Sequence, residues 1–273
     1  MINSLQRPDG LPDFDDPPLN EVVLGVQFAP PAEYKQIFAG EVWSLYKSPD
    51  YPNIDEKPPL QPQFETFGLP QSQQLSFGLL TGGQHNRYWF LSKGGEELIQ
   101  FQNDRLLHNW RKVGNETNAY PRFESMILKF EGELRKLEKY VSTLHPQKLN
   151  CNQVEVTYIN HIVPSPGKDE TVSDWFRTVN DAELNAEVLS LSYRRIITDS
   201  NNRPCGRLYS EMNPALRRDG IRILSLSITV RGAPATPDID AALDFIKKGR
   251  ELIVSEFASI TTESAHKRWK RVQ

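Results

Sequence analysis

Glu97-Leu-Ile-Gln-Phe-Gln102, Asn103-Asp104, Arg105-Leu-Leu-His-Asn-Trp110 is the stretch whose reading decides how this chain is built. Two apolar, β-prone runs flank a pair of turn-forming residues, so the stretch reads as an antiparallel hairpin. A two-residue loop of type I′ needs positive φ, which Asn and Asp tolerate. Strands are expected just before it at residues 75–80 and 87–92. After Pro121 the period changes: Phe123, Ile127, Phe130, Leu134, Leu137, Val141 and Leu144 recur at three- and four-residue steps. That spacing predicts a long amphipathic helix lying on a sheet or another helix, and Pro146 ends it.

Working outward, Val22, Leu24, Val26 and Phe28 alternate with Val23, Gly25 and Gln27, which marks a strand over 21–28. Pro30 and Pro31 stop it, and the apolar spacing of Tyr34, Ile37, Phe38, Val42 and Leu45 predicts a helix over 32–46. Residues 48–74 carry six prolines, which excludes both helix and central strand there. A loop of that length is expected to be functional or flexible. The second half reads as a strand at 153–163, a short helix at 173–179 capped by Ser173, and strands at 187–198, 203–212 and 221–231. A helix at 238–258, interrupted by Gly249, closes it.

Each half therefore reads strand, helix, three or four antiparallel strands, long helix. The expected fold is α+β, with two repeats at the level of pattern and helices packed on a curved antiparallel sheet. By analogy it resembles TATA-binding-like or helix-grip arrangements. The expected organisation is an extended arm at 1–20 and two α+β halves, 21–146 and 147–273, forming one compact unit.

Composition narrows the class. A hydrophobic fraction of 38% with 27 aromatic residues supplies a core and argues against disorder. The net charge of −3 excludes a globally basic nucleic-acid binder. Neither a signal-peptide pattern nor a run of about 18 apolar residues occurs, so a soluble cytoplasmic protein without membrane contact is expected. Cys151 and Cys205 read as small hydrophobes in or beside strands rather than a disulfide framework.

The run Pro17-Pro18-Leu19-Asn20-Glu21-Val22-Val23 through Gln27-Phe28 resembles the opening of a sporadically distributed family of bacterial proteins of about this length. The stretches Gln100–Arg105 with Asn109-Trp110-Arg111, Tyr158-Ile159-Asn160-His161, Val230-Arg231-Gly232 and Phe257…His266…Trp269 are similar to the same family. The resemblance covers nearly the whole chain and implies a fold spanning it. The patchy distribution implies an accessory gene of a mobile-element, toxin–antitoxin or phage-defence kind. It brings no activity, cofactor or catalytic residue.

Signatures of chemistry are sparse. The glycine pairs Gly82-Gly83 and Gly94-Gly95 lack phosphate-loop spacing and read as turns. The five histidines show no ligand spacing, so no metal is expected, although His108 and His161 could meet across a sheet. Neither a nucleophile elbow nor a cofactor motif is found, so no catalytic residue or cofactor is assigned. Glu21 and Glu155 could approach if their strands are neighbours, and with His161 they are the candidates for a pocket.

The arginines say more. From Cys151 onward 17 basic residues face 16 acidic ones, against 15 and 19 before it, and the basic ones concentrate on strands. Arg195, Arg207 and Arg231 would converge on one sheet face if the register allows, making a multidentate site for an anion or an acidic partner. The alternative is cross-strand pairing with glutamates such as Glu187 and Glu211. The tail His266–Arg271 could contact nucleic acid or fold back on Trp269. The arm around Asp13-Phe14-Asp15-Asp16 could fill a groove, pack on its own body, or exchange in a homodimer. The leading expectation is a non-enzymatic interaction protein binding a protein partner or an anionic ligand. An enzyme or small-ligand sensor gated by the 48–74 loop is the alternative, and a nucleic-acid binder a weaker one.

Overall fold

The period-two runs assemble into a single antiparallel sheet. The computed structural model describes residues 7–68, 85–114, 117–165, 167–168, 170–179, 186–217 and 219–273. Among these, the strands are β1 (Leu19–Phe28), β2 (Asn53–Lys57), β3 (Arg87–Leu91), β4 (Glu97–Gln102), β5 (Arg105–Arg111), β6 (Cys151–Ile162), β7 (Leu191–Thr198), β8 (Pro204–Leu216) and β9 (Arg222–Gly232). They lie in the order β2-β3-β4-β5-β1-β6-β9-β8-β7. The fold is α+β, as the pattern implies. The strand expected at 75–80 lies outside the described residues.

Among the described residues five α-helices accompany the sheet: α1 (Ala39–Ser44), α2 (Phe123–Leu144), α3 (Val172–Trp175), α4 (Ile239–Ile260) and α5 (Glu263–Arg268). Strand alternation sends Val22, Leu24 and Val26 of β1, and Val154 and Val156 of β6, into one buried layer. There they meet the seam of α2 (Phe130, Leu134, Leu137) and the stripe of α4 (Ile246, Ile253) in one core. Each such side chain contributes roughly 1.5–3 kcal/mol by leaving water. α4 begins at Asp238, whose carboxylate accepts the Ala241 N–H at 2.9 Å. Gly249 is no interruption. A Cβ there would sit 3.2 Å from both Val156 Cγ2 and Val230 Cγ1, so the glycine lets α4 press onto the sheet.

Four local expectations are corrected. The helix expected from residue 32 is only a 3₁₀ turn at Gln36–Phe38 followed by α1, because Glu33 takes a left-handed φ of 63° and Ile37 faces solvent. Inside the proline-rich stretch, the proline-free Asn53–Lys57 forms the edge strand β2. The loop at Asn103-Asp104 is not type I′, since neither residue has positive φ. Instead the Asp104 carbonyl accepts the Phe28 N–H at 2.8 Å and its carboxylate grips Arg105 through two bonds of 2.9 Å. Finally, α3 is capped by Thr171 in a reciprocal box with Asp174, not by Ser173.

The two termini close on each other. Asp13 donates its N–H to the Gln273 carbonyl and accepts the Val272 N–H, around the isolated bridge between Phe14 and Arg271. Phe14 packs edge-on to Phe257 at 5.3 Å, and Trp269 stacks on Trp175 at 5.9 Å. Arg268 lies over Trp175 and donates to the Val163 carbonyl, so the basic tail is folded back and its aromatic ring is buried. His266 sits inside this clasp, between the Thr261 hydroxyl (2.8 Å) and the Arg271 guanidinium (3.1 Å), with Glu263 at 3.8 Å and the Arg177 charge nearby. Burial first, and Arg271 second, hold its pKa below the ordinary 6.5. An unfolded chain therefore takes up this proton before the folded one does. Stability from the neutral His266 is complete above about pH 6.5 and is lost as pH falls through that value toward the lowered one. Thermal melts at pH 7.5 and 5.0 check it: the wild type should lose more than His266→Gln, and equal losses would refute the assignment.

Candidate functional site

Opposite the helices, the alternate residues of all nine strands form an open, polar face. One register row runs Asp55, Trp89, Gln100, Leu107, Gly25, Glu155, Arg231, Arg207 and Ile196 from edge to edge. A neighbouring row aligns Gln102, Arg105, Gln27 and Gln153 on β4, β5, β1 and β6. All four are buried although they leave the core side of the sheet.

What lies over them is part of the proline-rich stretch. Residues 58–68 run across the strands as a strap, and the glutamines hold its main chain. Gln102 accepts the Leu60 N–H at 2.8 Å and donates to the Leu60 carbonyl at 3.0 Å. Gln27 accepts the Gln63 N–H at 3.0 Å, and Gln153 accepts the Glu65 N–H at 3.4 Å. The Gln27 amide is itself tied to Asn152 at 3.1 Å. Pro58, Pro59 and Pro62 fall where no N–H is taken, so the prolines stiffen the strap without removing a bond.

The strap ends in a charged clamp. The Glu65 side chain, only 4% exposed, is bonded by Arg207 through Nη1 and by the Tyr209 hydroxyl at 2.8 Å and 2.9 Å. Arg231 Nη1 stands 3.8 Å from the same carboxylate while its Nε donates to Glu155 at 2.7 Å. Arg207 also donates to the Thr66 carbonyl at 2.6 Å and covers the Phe67 ring at 4.6 Å. Burial alone would lower the Arg207 pKa, but the hydrogen bond and charge of Glu65 outweigh it and hold the guanidinium above its ordinary value. Burial, followed by the Glu65 bond, pushes Tyr209 up, so the phenol remains a donor at neutral pH.

A cavity of about 200 Å³ opens beside the clamp, between strap and sheet. Leu60, Gln61 and Gln63 form its rim, and Gly25 and Leu107 contribute to its floor. A Cβ at Gly25 would come within 3.2 Å of Leu107 Cγ, so the bare backbone helps keep the space open. Arg105, Gln153, Glu155 and Arg231 line the cavity as well.

The candidate residues are thus divided. Arg207 and Arg231 share the open face and converge on one carboxylate. Arg195 does not join them: its Cα partner is the core residue Leu208, and its guanidinium turns to the helix side to pair with Glu256 of α4. Their glutamate partners are Glu65, Glu155 and Glu256 rather than Glu187 or Glu211. β1 and β6 are neighbours, yet Glu155 is opposite Gly25, so Glu21 sits four residues along, about 13 Å away. Glu21 accepts from Asn109 at 2.6 Å, and burial raises its pKa. His161 is six residues along β6 from Glu155, about 20 Å, opposite Ser225. Of the three pocket candidates only Glu155 lines the cavity.

His108 and His161 do not meet either, since β1 separates their strands. His108 points into the core, its Nδ1 2.9 Å from Glu133 of α2, which also accepts the Tyr51 hydroxyl at 2.6 Å. The geometry is that of a histidine–carboxylate dyad, but His108 is 0% exposed and the group braces α2 against the sheet. Among the described residues no three of His, Cys, Asp and Glu gather as a metal ion would need, and no helix is long and apolar enough to cross a membrane. Burial pushes the Cys151 thiol up to about 12, so it carries no thiolate at neutral pH.

Sequence reasoning missed Glu65, Tyr209 and the three glutamines. Their signal is faint: Gln27, Gln102 and Gln153 each occupy the polar phase of a strand, which ordinarily means solvent. Comparison of the chain with protein-family models, curated proteins and solved structures finds no match.

Proposed function

We propose that this chain is a non-enzymatic binding protein, a component of an accessory system of the kind the family resemblance implies, whose open sheet face receives an extended acidic segment of a protein partner. One observation carries the reading: Arg207 and Tyr209 bond a carboxylate that the Arg231 charge also faces, while glutamines on β4, β1 and β6 hold the main chain leading to it. That combination matches peptide recognition, in which main-chain bonds supply affinity and a pocket for one side chain supplies specificity. A guanidinium pair on a desolvated carboxylate is also stronger than its exposed counterpart.

Glu65→Lys frees the clamp by setting like charge against Arg207. Labelled acidic peptides titrated into this variant should bind saturably and more weakly as salt rises, and their Gln-for-Glu versions should not bind. Free glutamate and inorganic phosphate serve as competitors that test the clamp apart from the peptide backbone. Preferential retention of single-stranded DNA over every acidic peptide would overturn the proposal.

A further inference from the structure

The strap makes the contacts of a ligand while belonging to the chain. Three of its N–H groups, at 60, 63 and 65, are taken by side chains of the sheet, its one buried carboxylate occupies the clamp, and its prolines fall at positions that are not read. It is nonetheless an incomplete occupant. Between its contacts at Leu60 and Gln63 the strap passes over the 200 Å³ cavity, and Gln61, an exposed residue, only lines the rim. We infer that residues 58–68 are a tethered stand-in that keeps the site closed, and that the true partner is a proline-tolerant, extended acidic segment carrying a bulky apolar side chain where Gln61 stands. The inference rests on the proposed function above.

Three features specify that partner. Its main chain offers N–H groups at positions i, i+3 and i+5, matching Gln102, Gln27 and Gln153. A Glu at i+5 enters the clamp. A large side chain at i+1 descends onto Gly25 and Leu107, where the strap leaves the space empty, with Arg105, Glu155 and Arg231 around it. The tether gives the strap the advantage of local concentration, in the millimolar range for a short linker. The filled cavity gives the partner the means to displace it.

The test uses the full chain in two forms, intact and with residues 58–68 replaced by a Gly/Ser linker of equal length whose fold is checked by circular dichroism. Two labelled peptides are compared: the native 58–68 sequence and the same peptide with Gln61→Phe. The linker form should bind the native peptide on the order of 100-fold more tightly than the intact chain does, as removal of a tethered competitor implies. On the linker form, the Gln61→Phe peptide should gain roughly tenfold or more, the scale of a buried apolar side chain. Gly25→Val, which narrows the cavity floor, should reduce the affinity of the Gln61→Phe peptide more than that of the native peptide, so that the gain disappears. Equal affinity of the native peptide for intact and linker forms would show that the strap is no competitor. No gain from Gln61→Phe would show that the cavity is no subsite. A folded linker form that binds neither peptide would overturn the proposed function itself.

Discussion

Arg207→Ala, introduced in the chain whose strap is replaced by a linker, weakens binding of the acidic peptide on the order of 100-fold. The guanidinium is the one group that bonds both the carboxylate and the adjoining carbonyl of the occupant. Truncating one partner of a desolvated, hydrogen-bonded charge pair costs about 2–5 kcal/mol, which spans that loss. Arg231→Ala does less, because Arg231 is anchored mainly on Glu155 and stands farther from Glu65. Arg195→Ala is the control: its side chain lies on the other side of the sheet, so peptide affinity is unchanged. Fluorescence anisotropy on the three variants checks the order. An Arg195→Ala chain as impaired as Arg207→Ala would mean that the effect comes from general loss of positive charge.

Gly232→Ala prevents the chain from reaching its folded state. Gly232 on β9 faces Gly206 on β8, and both lie under Phe245 of α4. A Cβ on Gly232 would stand 2.3 Å from the Cys205 carbonyl oxygen, 2.6 Å from Phe245 Cζ and 2.7 Å from the Gly206 Cα. Two of those three atoms are backbone, so rotating a side chain cannot relieve the overlap. Relief requires β8 and β9 to part, and an overpacked site of this kind exceeds the usual 1–3 kcal/mol, entering the diagnostic range above about 4 kcal/mol. Adding Phe245→Ala should not restore folding, because the carbonyl contact remains. Soluble yield and thermal melts decide it, and a stable single variant would show that the two strands are joined more loosely than the close approach of Gly206 and Gly232 implies.

Local pattern is enough for much of this molecule. The hairpin at 97–110 and the seam of α2 are legible because each buries a complete face whose period matches its backbone. The strap is not, since it is held through its main chain and main-chain atoms leave no trace in residue identity. Proline density marked the segment as neither helix nor central strand, but nothing in it says that three glutamines far apart in sequence come to lie beneath it. Arg195 shows the complementary difficulty. Arginines on alternate positions of separate strands share a face only if the register between strands agrees, and the pairing of Arg195 with Leu208 puts it one residue out of phase with Arg207. The shortened α1 follows from a single left-handed residue, Glu33, whose type does not announce that conformation.

The seam between β1 and β6 bears on how the chain is made. β1 is synthesised first, yet it is central and pairs with β5 on one side and β6 on the other. Val22 waits for Trp110 and then for Tyr158, a span of well over a hundred residues. Pairings so distant in sequence form late. Until then an apolar strand with two bare edges is exposed on the nascent chain, the condition that invites aggregation. A chaperone that shields β1 until β5 and β6 are made would therefore matter more to this protein than to one in which such a strand finds its neighbour in the next hairpin.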